Sequence, residues 1–226
     1  MLLEIMKRLD RTLGLRNRMR GMPPSGFDLN GEKALDWGWC ITQLPQTPKQ
    51  RVLDIGCAQA PITPAAIMLG HEVTGIDIDI LSYSLPGLTF IGVDFMEADL
   101  GDKRFDIVVL SSVVEHIGLV GRYGQRDIPD GDLGAMRKVL SVLKPDGRLI
   151  LTIPIGRDLI FQPWHRIYGE ERLPQLLRGF LIEREQYYWK PLHDTWRITA
   201  KADALQVDQK GLCYALGQMV LTPERA

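Results

Sequence analysis

Apolar residues in this chain fall into short runs that suit buried strands, separated by stretches whose apolar positions recur at helical spacing. Val52, Leu53 and Ile55, then His71-Glu-Val-Thr-Gly-Ile-Asp77, Leu88-Thr-Phe-Ile91, Phe105-Asp-Ile-Val-Val-Leu110 and Arg148 to Ile153 read as successive strands. Thr63-Pro64 predicts an N-cap with proline at the first helical position, and Leu69-Gly70 a helix end. A helix over residues 133 to 143 precedes Lys144-Pro-Asp-Gly147, a turn that launches the next strand. Further on, Glu170 to Arg178 reads as a helix ended by Gly179, Leu181 to Trp189 alternates as a strand, and Gly211 to Leu221 is the last strand. Near the start, Leu2, Ile5, Met6, Leu9 and Leu13 have helical spacing, Gly21-Met-Pro-Pro-Ser-Gly26 is a break, and residues 31 to 44 place Ala34, Trp37, Ile41 and Leu44 on one stripe. The pattern predicts one α/β domain over residues 51–226, with residues 1–50 as helices and linker capping it.

The centre of this plan is Arg51-Val-Leu-Asp-Ile-Gly-Cys-Ala-Gln-Ala60, a strand that must stop at a tight turn of small residues. Such a turn lies at the carboxyl edge of a parallel sheet, where ligands bind. Asp54 would sit beneath it and fix its amides. Asp77 ends the second strand 21 residues after Gly56, the placement of an acid that binds ribose hydroxyls. Strand, turn, helix and acid together predict an adenosine-containing ligand.

VLDIGC, LGHEVTGIDID, FIGVDF, FDIVVLSSVVEHIG and VLKPDGRLILTIPIG, in that order over roughly residues 51 to 156, resemble the motifs of class I S-adenosylmethionine-dependent methyltransferases. HIGLVGRYGQ and HRIYGEERLPQLLRGF also resemble a poorly characterised bacterial branch of that family. The resemblance implies a Rossmann-like, seven-stranded, mostly parallel sheet with helices on both faces and an antiparallel last strand. It implies S-adenosylmethionine as cofactor, held by Asp54, Gly56, Cys57 and Ala58, by Asp77 and Ile78, and by Asp94 at the adenine amino group with Phe95 against the ring. Glu97 and Asp99 stand close enough to compete for the role of Asp94. Ser111 would lie at the mouth of the site. Ala58 and Ala60 stand where the family usually has glycine, and each adds a methyl group and restricts φ. A domain that keeps the fold without the ligand is therefore an alternative reading.

On the acceptor side, Glu115 and His116 follow the fourth strand, and a histidine can take a proton from a hydroxyl or amine. Orientation of loops by hydrogen bonding is the alternative role. Relatives with E-x-x-E-H hold a divalent metal, but Ser112 replaces the first glutamate, so Glu115, His116 and His165 form an incomplete set and no metal is assigned. Trp37, Arg122, Tyr123, Trp164, His165, Arg166 and Tyr168 are the substrate-side candidates, with Arg126 beside them. Against this, Trp37 and the Trp164 to Tyr168 group would equally serve as core, and Arg122 to Arg126 as a solvated loop.

Composition narrows the function further. Lys plus Arg number 27 against 28 Asp plus Glu, so no global charge recruits nucleic acid. Cys40, Cys57 and Cys213 lack C-x-x-C spacing, which argues against a disulfide framework or structural zinc and for a reducing cytoplasm. No run approaches a membrane span, and no signal peptide is evident. The basic helix over residues 2 to 13 would dock on its own domain, or more weakly on a membrane surface. Methyl transfer to a small-molecule or saccharide-like acceptor is the leading reading. A nicotinamide-dependent oxidoreductase is the other enzyme class considered, disfavoured because G-x-G-x-x-G is absent. The oligomeric state is not legible.

Overall fold

The computed structural model describes residues 32–47, 49–58, 60–120, 127–162, 164–191, 195–208 and 214–224. The helix expected over residues 2 to 13 and the Gly21 to Gly26 break lie outside them. In chain order the described elements are α1 (Glu32–Gln43), β1 (Arg51–Ile55), α2 (Ile62–Met68), β2 (Glu72–Ile76), β3 (Leu88–Ile91) and β4 (Phe105–Ser111). A 3-10 turn (Val114–His116), α3 (Gly131–Val142), β5 (Leu143–Ile155), β6 (Leu159–Phe161), β7 (His165–Ile167) and α4 (Arg172–Leu176) follow. The chain closes with β8 (Phe180–Trp189), β9 (Arg197–Thr199), α5 (Lys201–Leu205) and β10 (Ala215–Pro223).

One sheet runs in the order β3-β2-β1-β4-β5-β10-β8-β9. The pairs from β3 to β5 are parallel, and β10 is antiparallel to both β5 and β8. The last strand thus runs antiparallel as expected, while the strand count is eight rather than seven. The extra strand is β9, a three-residue edge paired with Tyr187 to Trp189. A separate hairpin, β6–β7, occupies the stretch before Tyr168.

Burial of strands on both faces explains the apolar runs. Leu53 and Ile55 of β1 join a core with Met136 and Val139 of α3 and Leu173 of α4, whereas Val52 joins Cys40 and Leu44 on the α1 and α2 side. Two layers of helix therefore cover one sheet.

Three local expectations change. Helix α1 buries Glu32, Asp36 and Cys40 in place of the stripe through Ala34, which is exposed, because both acids find hydrogen-bond donors inside. Helix α2 has Pro61 at its N-cap, and the Thr63 hydroxyl donates to Asp54 instead of capping. Lys144 to Gly147 forms an outward bulge within β5, since Phe105 pairs with Leu143 and Ile107 already with Arg148.

Buried charges tie the loops at the carboxyl edge of the sheet. Lys138 of α3 donates to the carbonyls of Phe95, Met96 and Ala98 at 2.7, 3.1 and 2.7 Å, fixing the segment that carries Asp94. Arg166 of β7, fully buried, donates to the carbonyls of Ile117 at 2.7 Å and Pro129 at 3.1 Å, with its Nε 3.7 Å from Asp132. Asp132 also accepts from the Tyr168 hydroxyl at 3.2 Å and from Arg172 at 2.6 Å. Removing the guanidinium strands several carbonyls at once. Arg166→Met should therefore cost about 3–5 kcal/mol in urea unfolding; a loss within error of zero would show that the hairpin is not held this way.

Candidate active site

The turn after β1 is built so that no side chain fits at its first position. Gly56 has φ of +80°, and a Cβ there would overlap the Cγ2 of Val113, which belongs to the segment after β4. The turn is stitched to β2: Gly56 N–H and Cys57 N–H donate to the Ile76 carbonyl at 2.8 and 3.4 Å, and Ala58 N–H donates to Asp77 Oδ2 at 2.8 Å. Asp77 Oδ1 accepts from Asp79 N–H at 2.8 Å. Each carboxylate oxygen accepts more than one hydrogen bond, so these contacts orient Asp77 without exhausting it.

The two alanines are accommodated. Neither Ala58 nor Ala60 takes a positive φ, and the Ala60 methyl packs into the core beside Val52 and Ile62. Cys57 points beneath the turn, where a Cβ on Gly75 would come within 2.7 Å of its sulfur. Burial pushes its thiol up to about 12, which makes it a packing residue.

Asp54 departs from expectation. It holds the first turn of α2 through Thr63, at 2.7 Å, in place of the amides of the glycine turn, and burial raises its carboxyl to about 6.

At the neighbouring strand ends, Asp94 is half-buried and accepts from Met96 N–H at 2.9 Å, while Ile78 and Val93 expose apolar side chains beside the two acids. Phe95 is a correction: its ring is core, beneath the Lys138 ammonium at 5.0 Å, and does not face the edge where an adenine would lie. Sequence reading missed Tyr83. Its hydroxyl is enclosed without a hydrogen-bond partner among the described residues, near enough to Cys57 and Asp54 to have its proton held more tightly. The oriented acid at β2, the apolar pair and this orphaned hydroxyl fit an adenosyl ligand.

The acceptor side opens at Ser112, whose φ of +52° is unusual for a side-chain-bearing residue. Its hydroxyl donates to Asp36 Oδ2 of α1 at 2.7 Å. Ser111 is half-buried, and Thr152 Oγ1 lies 3.4 Å from both serine hydroxyls. Glu115 is buried; that burial first, with Glu32 and Asp36 adding and Lys33 opposing, raises its carboxyl to about 8. His116 Nδ1–H donates to the Trp164 carbonyl at 2.5 Å, so proton exchange at this ring belongs to Nε2, which stands 3.6 Å from Glu115 Oε1.

The Trp164 to Tyr168 segment divides. Trp164 is half-buried and supplies the carbonyl that fixes His116, and His165 packs against Phe161 and Tyr214 with ring centroids 5.8 and 5.3 Å apart. Arg166 and Tyr168 are corrections, since both are fully buried in the Asp132 network and meet no open surface. Trp37 is half-buried against the α1-side core. Arg122, Tyr123 and Arg126 lie outside the described residues. Among the described residues no three metal-binding side chains converge, so Glu115, His116 and His165 do not form a ligand set here.

Comparison with known proteins agrees with this geometry. The chain is 24% identical over 175 residues to the ubiquinone biosynthesis O-methyltransferase of Rhodopseudomonas palustris strain HaA2, covering 68% of this chain and 67% of that protein. It superposes on the 1,6-didemethyltoxoflavin-N1-methyltransferase of Burkholderia thailandensis, solved with S-adenosylhomocysteine, with a TM-score of 0.60 at 18% identity over 87% of this chain and 82% of that one. The N-methyltransferase NodS of Bradyrhizobium japonicum WM9, also solved with S-adenosylhomocysteine, gives 0.59 at 15% identity over 89% and 92%. The fold is that of the class I S-adenosylmethionine-dependent methyltransferases. Within that fold, residues 90–206, more than half of the chain, match the family described as "Caenorhabditis protein of unknown function, DUF268", and the chain belongs to that family.

Proposed function

We propose that the protein transfers a methyl group from S-adenosylmethionine to a small-molecule acceptor. The observation that carries this reading is the clamp at the end of β1, in which Gly56 has no room for a side chain and Ala58 N–H orients Asp77. When bound, the sulfonium supplies an already activated methyl group. The chain's own work is then to hold, align and dry the two partners.

In this reading the outward lone pairs of Asp77 take the ribose hydroxyls, Ile78 and Val93 flank the adenine, Asp94 accepts from its amino group, and Tyr83 donates its orphaned hydroxyl. Gly56, Cys57 and Ala58 contribute backbone to the same rim. Glu115 and His116 handle the proton of the acceptor, with His116 held in one tautomer by Trp164. Ser111 lines the mouth between the two halves. The acceptor is of saccharide-like size and polarity, and the setting is a reducing cytoplasm, in keeping with Cys40 and Cys57 being free and buried.

Calorimetric titration tests the reading directly. Wild-type protein should bind S-adenosylhomocysteine and not NADH, and Asp77→Ala should weaken binding by about 1.5–3 kcal/mol, typical of hydrogen bonds to a charged group. Binding of NADH alone would transfer the site to the oxidoreductase reading. No binding of either would leave a fold without its ligand.

The buried acids give a second expectation. Because the Glu115 carboxyl sits at about 8 in the folded chain against a usual 4.5, the unfolded chain sheds this proton first as pH rises. Between those values the folded state holds more protons, so stability falls with increasing pH and the loss is complete above about 8. Asp36 and Asp54, both raised to about 6, act in the same direction over the lower part of that window. Thermal unfolding of Glu115→Gln should accordingly show a shallower decline than wild type, with the difference in favour of the variant larger at pH 8 than at pH 5. Parallel curves would mean that Glu115 is ionised in the folded protein at neutral pH.

A further inference from the structure

Beneath α1 lies a polar pocket that the cofactor site does not use. Residues Ser111, Thr152 and Gln218 stand in register across β4, β5 and β10, level with the end of β1. Asp36 covers this row from α1, and Glu32, one helical turn earlier, accepts from the Tyr214 hydroxyl at 2.6 Å. Glu115 approaches from the 3-10 turn closely enough for its charge to act on Lys33, Glu32 and Asp36.

The hydrogen-bond inventory of this pocket is incomplete in one sense only. Asp36 Oδ1, Glu115 Oε2 and both amide atoms of Gln218 are enclosed and have no hydrogen-bond partner among the described residues. Asp36 and Gln218 are fully buried, and Glu115 is 2% exposed. The Gln218 amide lies near enough to Asp36 to steady its charge, though outside hydrogen-bonding geometry. Buried polar atoms without partners are costly, so a group of them around one space points to a missing occupant. Three of the four atoms accept hydrogen bonds and only the Gln218 nitrogen must donate. The occupant therefore brings N–H or O–H donors.

Charge selects between those donors. Glu32 and Asp36 share a single described cation, Lys33, at 3.2 and 3.9 Å, and Lys33 leaves through a half-exposed side chain toward solvent. Two carboxylates with a third nearby and one ammonium leave the space net negative. A cation is what relieves it.

We propose that this pocket is the acceptor's anchoring subsite and takes a primary or secondary ammonium group on the acceptor, with Asp36 as its charged partner and the Gln218 amide and Glu115 completing the shell. The pocket adjoins the cofactor turn through consecutive residues, since Ser112 bonds Asp36 while Val113 packs on Gly56. The proposal deepens the methyl-transfer reading but its test does not need the cofactor. Ligand-observed NMR would compare ethanolamine with ethylene glycol, its neutral counterpart of the same size, at matched ionic strength.

Ethanolamine should bind wild-type protein at least tenfold more tightly than ethylene glycol, and Asp36→Asn should remove most of that preference. The wild-type comparison needs no variant, so it stands even where Asp36→Asn fails to fold. Equal affinity for the two probes, or a preference that survives Asp36→Asn in folded protein, would overturn the proposal and leave the space to ordered water. Titration with S-adenosylhomocysteine on the same sample separates the two readings, because loss of one binding event does not entail loss of the other.

Discussion

The absence of room at Gly56 is the constraint on which the rest of the site depends. A left-handed glycine lets the chain turn within one residue of a buried strand, and the contact with Val113 brings the segment after β4 against that turn. Two loops that come from different strands, more than fifty residues apart, are thereby made into one rim. The stitching to β2 does the rest: with the Ile76 carbonyl and the Asp77 carboxylate taking consecutive backbone N–H groups, the turn and the acid move as a unit. Preorganisation of this kind reduces the ordering that a ligand must otherwise impose.

Polar groups carry the second layer of specification. Lys138 and Arg166 each collect carbonyls from loops that have no secondary structure to satisfy them, and Asp132 gathers Arg172, Tyr168 and Arg166 at the start of α3. Such buried networks contribute by leaving no backbone group stranded, and they fix where the loops at the carboxyl edge end. The pocket under α1 stands apart because its groups are gathered in the same way and yet not completed. One helix thus serves packing through Cys40 and Leu44 and chemistry through Asp36.

How far this was legible in the sequence follows from the physics of each part. Strands β1, β2, β4 and β5 were readable because burial on both faces writes a nearly unbroken apolar run, and the turn at Gly56 was readable because small residues and an acid interrupt it. The face of α1 was not, since Glu32 and Asp36 are charged residues whose partners, Tyr214 and Ser112, are distant in sequence. Arg166 and Tyr168 were misplaced for the same reason: an arginine and a tyrosine in an irregular stretch suggest a surface, and only the fold reveals Asp132 and the carbonyls waiting for them. Tyr83 carried no signal beyond lying in a loop after Asp77. The strand β9 is three residues long and held only by pairing with β8, too short for any pattern to show.

The central claim, that an adenosyl ligand sits at the carboxyl edge of β1 and β2, is tested most directly by mapping backbone amide shifts during addition of S-adenosylhomocysteine. The account predicts that the largest changes fall on Gly56, Cys57, Ala58, Ile78 and Val93, with Arg197 to Thr199 at the far edge of the sheet unaffected. Changes absent throughout, or concentrated at β8 and β9, would contradict it.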